Sequence, residues 1–430
     1  MTPDQEARKM RLLFTAFPSP SHLFPMVPLA WAARAAGHEV RVAGAPSLVD
    51  AITASGLPAV PVGAEVDLTG TSRGGSLSGW HDHERWPAGW PVTPSLLDGR
   101  RKELLEALGQ RQFAIAAGML DDLVRFGEAW RPDAVVHDAV SYAGPVAGSV
   151  LDIPSVSHLW GSPGLQRLEM KGLGPDPQDG FVALFDRYRA AVRTWPDAWV
   201  DPCPPSMGFG SGPDVHSVQY VPYNGPGRIP VRLLDPPSRP RVCVTWGATT
   251  AKLLGADMTE LLRQAVEAVA ALPVEVVLAT TADQRQLLGD LPPSVRTEIS
   301  VPLHMLLPGC VAVVHHGGAG TTLTAARHGV PQLTITRRPE PTLNGERQAL
   351  TGAGINLTYG EVSRTERPVE TVREQVTRLL DDRSYRDAAG RLSAEILAQP
   401  SPADLVGVIE KLACFSTVSP RSSHRTKEAG

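Results

Sequence analysis

Short apolar runs alternate with helical segments along most of the chain, and this alternation constrains the fold more than any other feature. Arg11–Phe17 and Glu39–Ala43 are apolar runs, and Leu23–Ala36 between them has helical spacing. A strand, a helix and a strand within about 35 residues form a βαβ unit, whose strands are parallel. The pattern returns at residues 133–158 and starts again over 241–357. The sequence therefore predicts an α/β protein with two doubly wound, Rossmann-like domains.

A segment rich in proline and glycine divides the chain into two halves. Residues 223–240, YNGPGRIPVRLLDPPSRP, have the composition of an inter-domain linker. We therefore predict an N-terminal domain over residues 1–222, a C-terminal domain over 241–415, and a polar, disordered tail over 416–430. Doubly wound domains bind ligands outside the carboxyl ends of their strands, so the predicted site is the cleft between the halves.

Composition and charge exclude several classes of protein. The 41 basic residues against 45 acidic ones give a formal net charge of −4, which lacks the basic surface of a nucleic-acid-binding protein. The four cysteines are scattered, so neither a zinc site nor a disulfide framework is indicated. The N-terminus is polar, and no window reaches the roughly 18 apolar residues of a membrane span. We expect a cytoplasmic protein that binds small molecules.

The most informative motif is HHGGAGTT at residues 315–322, between an apolar strand and a helix. Its glycines let the backbone approach a ligand closely, and a helix N-terminus offers unpaired N–H groups and a positive dipole end, which together suit a pyrophosphate. The motif matches neither the Gly-x-Gly-x-x-Gly nor the P-loop pattern, so a nicotinamide or ATP fold is disfavoured. The alternative is a glycine-rich turn whose threonine only caps the helix. The predicted ligand-binding residues here are His316, Gly318, Ala319, Gly320 and Thr321, with Thr322 as a second candidate hydroxyl.

A second loop, TWGATT at residues 245–250, follows the first strand of the C-terminal half. In this topology the loop faces the same cleft, and we predict that Gly247 and Thr249 contact the phosphates from the other side. Glycine and threonine are common in any turn between a strand and a helix, so a purely structural role is the alternative.

The N-terminal half has no glycine-rich fingerprint in its first strand–helix loop, PSPSH at residues 18–22. His22 lies instead at the carboxyl end of the first strand and at the start of a helix. Asp138 ends another strand at the same edge, where its carboxylate would hold the imidazole in one tautomer, as in a His–Asp dyad. We predict that His22 and Asp138 are catalytic, and a histidine that only caps the helix is the alternative.

Six stretches, some of which include the motifs above, extend over nearly the whole chain to about residue 413 and together carry the pattern of a known family. They are Val27–Gly44, Val135–Gly148, Val221–Gly227, Arg239–Gly247, His304–Thr321 and Pro400–Ala413. Together they resemble the family 1, GT-B-fold glycosyltransferases of antibiotic biosynthesis. The similarity extends in particular to the transferases that attach TDP-deoxysugars, aminosugars among them, to macrolides and anthracyclines.

The resemblance implies two domains that face a cleft, with the acceptor bound by the N-terminal domain and the nucleotide sugar by the C-terminal domain. It implies an inverting transferase that moves a deoxysugar from a TDP-sugar to a hydroxyl of a polyketide-type natural product. His22 would deprotonate that hydroxyl, and Asp138 would stabilise the imidazolium. The helix N-terminus at 318–321 would meet the charge on the departing TDP. No cofactor or metal is expected, and the sequence contains no Asp-x-Asp motif.

Two departures from the family pattern affect the donor site. The stretch RRPEP at residues 337–341 stands where the family has Asp-Gln or Asp-Thr, and Glu340 is the acidic residue left to bind sugar hydroxyls, whereas Pro341 has no N–H to donate. Ser300 stands where the family often has a bulky or aromatic residue near the nucleobase. Contacts to the base are therefore predicted from Val301 and Leu303, largely through the backbone.

Three tryptophans lie in the loop-like segment 70–100, around the sequence HDHE at residues 81–84. The His-x-His pair lacks a third ligand at a useful spacing, so no metal site is predicted. Exposed aromatic side chains over the cleft would suit a flat polyketide acceptor or a protein partner, whereas packing under a long loop is the alternative. The predicted acceptor-lining residues are Trp80, Trp86, Trp90 and Trp160.

The resemblance also implies partners. A sugar nucleotide and a hydrophobic aglycone are the expected ligands, and a cytochrome-P450-like auxiliary protein and a second copy of the chain are candidate protein partners. Nucleic acid and membranes are not expected. Two other functions stay open from the sequence: a sugar-nucleotide epimerase or hydrolase of the same fold, and a catalytically silent sugar-nucleotide-binding protein.

Overall fold

The computed structural model describes residues 9–68, 77, 80, 85–164, 167–210, 212, 214–247 and 256–418. Within them, two parallel sheets form the framework, which confirms the predicted α/β class. The strands of the first sheet are β1 (Arg11–Thr15), β2 (Glu39–Gly44), β3 (Ala59–Pro61), β4 (Ala134–Asp138), β5 (Ser155–His158), β6 (Ala198–Asp201) and β7 (Val215–Ser217). The strands of the second sheet are β8 (Arg241–Thr245), β9 (Glu275–Thr280), β10 (Val295–Ile299), β11 (Ala312–His315), β12 (Gln332–Thr336) and β13 (Gly354–Thr358).

The order of the strands creates a switch point in each sheet. The first sheet has the order β3-β2-β1-β4-β5-β6-β7, and the second has the order β10-β9-β8-β11-β12-β13. Since the chain winds outward in opposite directions on the two sides, crevices open between the carboxyl ends of β1 and β4 and of β8 and β11. The register pairs Thr15 with His137 in the first sheet and Thr245 with His315 in the second. The predicted site residues therefore follow the strands that flank the two switch points.

The helix predicted over residues 23–36 forms in two pieces. The segments α1 (Pro20–Leu23) and α2 (Val27–Ala35) are joined by a short 3-10 turn, and each piece has a proline at its first or second position, where the missing N–H costs nothing. Gly37 ends α2 with φ +93°, a conformation that glycine adopts without strain. The other helices described in the first half are α3 (Val49–Ala54), α4 (Gly99–Trp130), α5 (Ala143–Val150) and α6 (Asp179–Asp186).

The second half continues the alternation of helices and strands and ends in a run of helices. Asp382 separates the helices Pro368–Asp381 and Arg383–Ala398, and its carboxylate accepts a hydrogen bond from the backbone N–H of Ser384 at 2.9 Å. The helices are α7 (Ala256–Ala270), α8 (Ala282–Leu287), α9 (Leu303–Leu306), α10 (Ala319–Arg327), α11 (Pro339–Leu350), α12 (Tyr359–Ser363), α13 (Pro368–Asp381), α14 (Arg383–Ala398) and α15 (Pro402–Val418).

The central strands are apolar along their length because both faces of the first sheet are covered. In β1, Leu12 belongs to a hydrophobic cluster with α2, while its neighbour Leu13 belongs to the cluster on the opposite face with α4. Both side chains are fully buried. Burying one leucine contributes at most about 1.5–3 kcal/mol, and each central strand buries several apolar side chains. Together they hold the strand ends, and the site above them, in a fixed position.

The last helix returns to the first sheet. In α15, Leu405 and Ile409 are buried in the same cluster as Leu29 of α2, and His38 shares a hydrogen bond of 3.0 Å with the Glu410 carboxylate. The C-terminal segment thus packs against the N-terminal half, a contact that local sequence patterns do not predict. The helix includes residues 416–418 of the predicted tail, and residues 419–430 lie outside the described part.

The predicted linker 223–240 is irregular apart from a short 3-10 turn at Val231–Leu233. Its Asn224 joins two helices of the second half. The Asn224 Oδ1 accepts a hydrogen bond from the backbone N–H of His304 at 2.9 Å, and its Nδ2 donates one to Thr324 Oγ1 at 3.0 Å. These two hydrogen bonds hold the linker beside the carboxyl edge of the second sheet, next to the predicted nucleotide site.

Candidate active site

The first switch point brings His22 and Asp138 together. His22 lies in α1 directly after β1, and Asp138 is the last residue of β4, the strand beside it. His22 Nδ1 and Asp138 Oδ1 are 3.1 Å apart, and the backbone N–H of Phe17 donates to Asp138 Oδ2 at 3.4 Å. The Asp138 side chain is 1% exposed and that of His22 is 22% exposed. The carboxylate is thus fixed inside the protein, and the imidazole that it holds through Nδ1 stays partly exposed to solvent.

Two aromatic rings contact the His22 imidazole. The ring centroids of Phe17 and Trp160 are 5.0 Å and 5.1 Å from that of His22. Phe17 lies in the connection between β1 and α1, and Trp160 follows β5. These contacts keep the imidazole plane fixed and exclude water from part of its surface. Of the four predicted acceptor-lining tryptophans, Trp160 is the one in contact with the dyad.

The prediction of exposed tryptophans over the cleft is wrong for Trp86 and Trp90. They are 8% and 2% exposed, and their rings pack edge to face with centroids 5.0 Å apart in the cluster that includes Leu105 of α4. Trp80 packs against Trp86 at 5.9 Å. Burying a large aromatic side chain stabilises the fold more than leaving it exposed for a ligand. These tryptophans therefore follow the alternative stated above, packing under a long loop. Residues 81–84 lie outside the described residues.

The second switch point holds the His316 ring between two glycines. A Cβ added to Gly247 would lie 2.8 Å from His316 Cε1, and one added to Gly318 would lie 2.5 Å from His316 Nε2. Gly247 also has φ +64°, and its carbonyl accepts a hydrogen bond from Gln284 Nε2 at 2.8 Å. The absence of side chains at both positions is therefore what makes room for the imidazole. Thr249 lies outside the described part of the chain.

Helix α10 begins beside this imidazole with a free N-terminus. Gly318 is its N-cap residue, and no side chain of the described residues caps it. The hydroxyl of Thr322 donates to the carbonyl of Gly318 at 3.1 Å, so this threonine bonds within its own helix. The N–H groups of Ala319, Gly320 and Thr321 belong to the first turn, where intrahelical partners do not exist. The terminus thus presents donors and a positive dipole end to the cleft.

The surroundings of His316 favour its neutral form. Burial lowers the pKa of His316 well below its usual range, and the neighbouring His315 and the positive charge of Arg338 lower it further. Its Nδ1 is buried and has no hydrogen-bond partner among the described residues. A neutral imidazole beside a helix N-terminus can still donate one hydrogen bond to an anion.

Glu340 and Asn344 link the second sheet to the first. The Asn344 Nδ2 donates to Glu340 Oε1 at 2.8 Å and to the Gly317 carbonyl at 2.9 Å, and Asn344 Oδ1 accepts from Ser162 Oγ at 3.1 Å. Ser162 comes from the loop after β5 of the first sheet. The structure therefore places Glu340 in the first turn of α11, with its carboxylate held toward the glycine motif. Pro341 is buried beside Gly317.

The predicted nucleobase contacts lie at the start of α9. Val301 and Leu303 are partly buried and pack against the cluster that includes Leu307. Ser300 before them has φ +54°, a left-handed conformation that a bulky residue adopts only with strain, and its N–H donates to the Thr280 carbonyl at 2.9 Å. The small residue thus suits the turn that leads into this segment.

Two arginines that sequence analysis assigned to no role also lie at the cleft. Arg111, in the middle of α4, has its guanidinium carbon 5.9 Å from the centre of the Phe17 ring. Arg338 is the N-cap residue of α11. Arg338 could have been found from the RRPEP departure, whereas Arg111 is one arginine among many on a long helix and gives no sequence signal.

The described residues contain no group of three histidine, cysteine, aspartate or glutamate side chains arranged to hold a metal ion. Within the same ranges no helix is long and apolar enough to cross a membrane.

Comparison with known proteins places both halves of the chain in one family. The model of the N-terminal domain of erythromycin biosynthesis protein CIII-like proteins matches residues 31–247, and the model of their C-terminal domain matches residues 263–412. Together the two matches cover most of the chain, including β4 at the first switch point and both β8 and β11 at the second.

Individual relatives match over nearly their full length. The 10-deoxymethynolide desosaminyltransferase of Streptomyces venezuelae is 36% identical over 94% of this chain and 97% of its own length. The aklavinone 7-beta-L-rhodosaminyltransferase of Streptomyces galilaeus is 37% identical, with 97% of each chain covered. The crystal structure of the glycosyltransferase VinC in complex with dTDP superposes with a TM-score of 0.76 at 34% identity, covering 94% of this chain and 100% of VinC.

Proposed function

The chain belongs to the family of erythromycin biosynthesis protein CIII-like glycosyltransferases, and from this premise we propose that it is an inverting transferase. It moves a deoxysugar from a TDP-sugar to a hydroxyl of a polyketide-type natural product such as a macrolide or anthracycline. The observation that carries the proposal is the 3.1 Å contact between His22 and Asp138 at one switch point, with the open N-terminus of α10 at the other. One site supplies a base and the other supplies anion-binding donors.

The proposed reaction begins at the imidazole. His22 Nδ1 donates to Asp138, so Nε2 is the nitrogen that takes the proton from the acceptor hydroxyl. The acceptor oxygen forms a bond to the anomeric carbon as the bond from that carbon to the TDP oxygen breaks on the opposite face, which inverts the configuration. The carboxylate of Asp138 stabilises the imidazolium until the proton passes to solvent. General-base catalysis of this type contributes about 10²–10⁴ in rate.

The leaving TDP carries the negative charge away from the sugar. The N–H groups of Gly320 and Thr321, the dipole of α10 and a hydrogen bond from His316 are the groups that we assign to its phosphates. A helix N-terminus stabilises an anion by about 0.3–1 kcal/mol when exposed and up to about 2 kcal/mol when partly buried. With these donors the proposed mechanism needs no metal ion or cofactor.

The acceptor and further partners follow from the same proposal. The aglycone would lie against the ring of Trp160, beside the His22 imidazole. We also propose that activity depends on a cytochrome-P450-like auxiliary protein that binds the N-terminal half, and a homodimer is the second partner to test.

The experiment is a donor and acceptor panel. TDP- and UDP-sugars are incubated with macrolide and anthracycline aglycones, with and without an auxiliary protein, and products are identified by mass spectrometry. Glycosylated aglycone from TDP-deoxysugars is the expected result. Free sugar, or a donor epimer without transfer, would favour a hydrolase or epimerase, and tight TDP binding with no turnover of any kind would favour a silent binding protein. Size-exclusion chromatography with light scattering measures the oligomeric state.

A further inference from the structure

The loop that follows β5 begins from a fixed point beside the first switch point. The register pairs His158, the last residue of β5, with Asp138 of β4. The backbone N–H of Leu159 donates to the Val200 carbonyl at 2.9 Å, and the Leu159 carbonyl accepts a hydrogen bond from His158 Nδ1 at 2.7 Å. Since both backbone polar groups of Leu159 are bonded, the residues after it leave the sheet in a defined direction.

The next three residues, 160–162, extend from the catalytic pair to the second half, and we call them the bridge segment. The Trp160 ring contacts the His22 imidazole, with centroids 5.1 Å apart. Gly161 has φ +94° and lies against α10, where a Cβ added to it would overlap the Cδ1 atom of Leu323. Leu323 is fully buried and follows the first turn of α10, whose N–H groups we assign to the leaving TDP. The lack of a side chain at Gly161 therefore lets the bridge segment contact the helix that carries those donors.

The bridge segment ends at α11. Ser162 and Asn344 are both buried, and the Ser162 Oγ donates to Asn344 Oδ1 at 3.1 Å. The Nδ2 of the same asparagine donates to the Gly317 carbonyl and to the Glu340 carboxylate. Three consecutive residues thus contact, in order, the imidazole, the anion-binding helix and the asparagine that positions Glu340.

Other contacts join the two halves away from the imidazole. Arg85 of the first half forms ion pairs with Glu346 of α11 and with Glu361 of α12, and its Nη2 lies 2.8 Å from Glu361 Oε2. On the same helix as Glu346, Arg347 Nε donates to the Met207 carbonyl at 2.6 Å. These contacts do not include the bridge segment. A change in the bridge segment should therefore alter the local alignment of His22 and α10 more than the overall arrangement of the halves.

We propose that Trp160 and Gly161 are positioning residues that fix the His22 base relative to the leaving-group donors of α10. An acceptor hydroxyl bonded to His22 is then in line with the anomeric carbon and the departing TDP oxygen. The ring of Trp160 also covers part of the imidazole against water, which is the competing nucleophile. The inference rests on the proposed function and deepens it, because it assigns the alignment of the two switch points to two residues.

The competing reaction is hydrolysis of the donor. A water molecule gives a proton to His22, its oxygen forms a bond to the anomeric carbon, and the bond from that carbon to the TDP oxygen breaks, which yields free sugar and TDP. Water is small and can attack from several positions, whereas the hydroxyl of a large aglycone needs the base, the carbon and the leaving oxygen in line. A misplacement of about 1 Å costs an aligned reaction about 10²-fold, so it should slow transfer more than hydrolysis.

The first variant is Gly161→Ala, and Gly164→Ala is its control. Gly164 lies in the same loop with φ +77°, and a Cβ added to it would lie 3.0 Å from atoms of Phe209 and Pro91, both in the first half. Both variants place alanine in a left-handed conformation, but the clash with α10 is specific to Gly161→Ala. That variant should lose about tenfold to a hundredfold in kcat for transfer and convert a severalfold larger share of the donor to free sugar. Gly164→Ala should keep the wild-type share.

Trp160 provides a second pair of variants, which add no backbone strain. Trp160→Phe keeps an aromatic ring at His22 and should retain most of the wild-type product ratio. Trp160→Ala opens that side of the imidazole to water, so the share of free sugar should rise severalfold. Trp195→Ala is the control, because Trp195 is 62% exposed and its ring packs against Arg167 and Trp199. It should leave the product ratio unchanged.

The measurement uses the donor and aglycone with the highest turnover in the panel above, with the aglycone saturating. Glycosylated aglycone, free sugar and TDP are quantified in the same reaction, so the product ratio does not depend on the amount of folded enzyme. Calorimetry measures the affinity for TDP, which Gly161→Ala and Trp160→Ala should leave close to that of the wild type.

Three results would overturn the inference. Gly161→Ala would transfer at the wild-type rate, or Trp160→Ala would keep the wild-type product ratio, or Gly161→Ala and Gly164→Ala would lose transfer equally at an unchanged product ratio. The last result would assign Gly161 to the stability of the fold alone. Failure of the proposed function is distinct, because the wild type itself would then form no glycoside from any pair in the panel, and the inference would fail with it.

Discussion

At each switch point a central strand reaches a buried histidine, and the residue that follows this histidine differs between the two sheets. Strand β4 ends in His137 and Asp138, and β11 ends in His315 followed by His316. Burial lowers the pKa of His137 and of His315 to about 4 each. The His137 ring shares a hydrogen bond with Ser155 in the neighbouring strand β5, and the His315 ring shares one with Gln332 in the neighbouring strand β12. A neutral, fully buried histidine therefore supports the end of the central strand in both halves.

The next residue gives each half its chemistry. Asp138 is a buried carboxylate paired with the His22 imidazole. Its negative charge suits a partner that becomes a cation when it acts as a base. No carboxylate of the described residues pairs with His316, and burial, His315 and Arg338 lower its pKa, which favours the neutral form. In the proposed mechanism, equivalent scaffolds carry an acid–base pair in one half and anion-binding groups in the other. Each of the following changes tests one part of that division.

The largest effect is expected at the pair. His22→Ala removes the proposed base, so kcat for transfer should fall by about 10²–10⁴-fold while affinity for TDP, bound in the other half, stays unchanged. Asp138→Asn keeps the shape of the side chain but removes the charge that stabilises the imidazolium, and kcat should fall within the same range. Steady-state kinetics and TDP calorimetry measure the two quantities.

His216→Ala on edge strand β7 is the matched control, since it removes a histidine of the same sheet away from its switch point. Transfer at wild-type rate by His22→Ala would contradict the dyad, and a parallel loss of TDP affinity would mean that the halves do not divide the work as proposed.

The second effect concerns the space around His316. Gly318→Ala places a methyl group against the imidazole, and Gly247→Ala adds the strain of a left-handed residue to a similar clash. Displacing the ring from the phosphate site removes a hydrogen bond to a charged group, so TDP affinity should weaken about tenfold to a hundredfold. Isothermal calorimetry with TDP measures it.

Gly390→Ala provides the control. An added Cβ at this position in α14 meets no atom of the described residues within 4 Å, and helical alanine is about 0.5–1 kcal/mol more favourable than glycine. This variant should bind TDP normally and unfold at a slightly higher temperature. Normal TDP binding by Gly318→Ala would show that the imidazole position does not matter for the nucleotide.

The sequence predicts the framework and the dyad because both depend on local rules. Apolar runs and helical spacing define the βαβ units, and the carboxyl ends of parallel strands meet at one edge of a sheet. The contact between His22 and Asp138 was therefore predictable although the two residues are 116 positions apart in the sequence. The glycine motif is predictable for the same reason, because its chemistry lies in consecutive residues between a strand and a helix.

What could not be predicted depends on packing between distant segments. The sequence around Trp86 and Trp90 is the same whether their side chains face a ligand or a core. They are buried because α4 packs against them. Arg111 reaches the cleft because α4 crosses beside Phe17. The contact of α15 with the first sheet joins residues more than 370 positions apart, as between His38 and Glu410 (separation 372), and no period or motif encodes it.

The third effect tests the shared scaffold through pH. In the unfolded chain a histidine has a pKa of about 6.5, above the folded value of about 4 for His137 and His315. Below pH 6.5 the unfolded state therefore binds more protons, so the free energy of unfolding should fall as pH decreases from 6.5 toward 4 and be unaffected by these groups above that window. Urea titrations at several pH values measure the slope.

His137→Asn and His315→Asn are matched variants, because asparagine can keep the bond that each Nδ1 makes, to the Asp138 carbonyl in one and from the Gly317 N–H in the other. Each should lower the pH slope by about 1 kcal/mol per pH unit. Equal slopes in the wild type and both variants would mean that these histidines do not remain neutral in the folded protein.

The smallest effect is expected where the halves touch. Ser162→Ala removes the hydrogen bond to Asn344 Oδ1 and leaves that buried acceptor without its donor, which should cost about 1 kcal/mol in the free energy of unfolding. Since Asn344 also positions Glu340 and the Gly317 carbonyl, KM for the donor should rise while kcat changes little. Ser149→Ala removes a comparable bond, to the Ala191 carbonyl, within the first half alone. That control should leave KM for the donor unchanged, and an equal rise in both variants would mean that the Ser162 bond does not couple the two switch points.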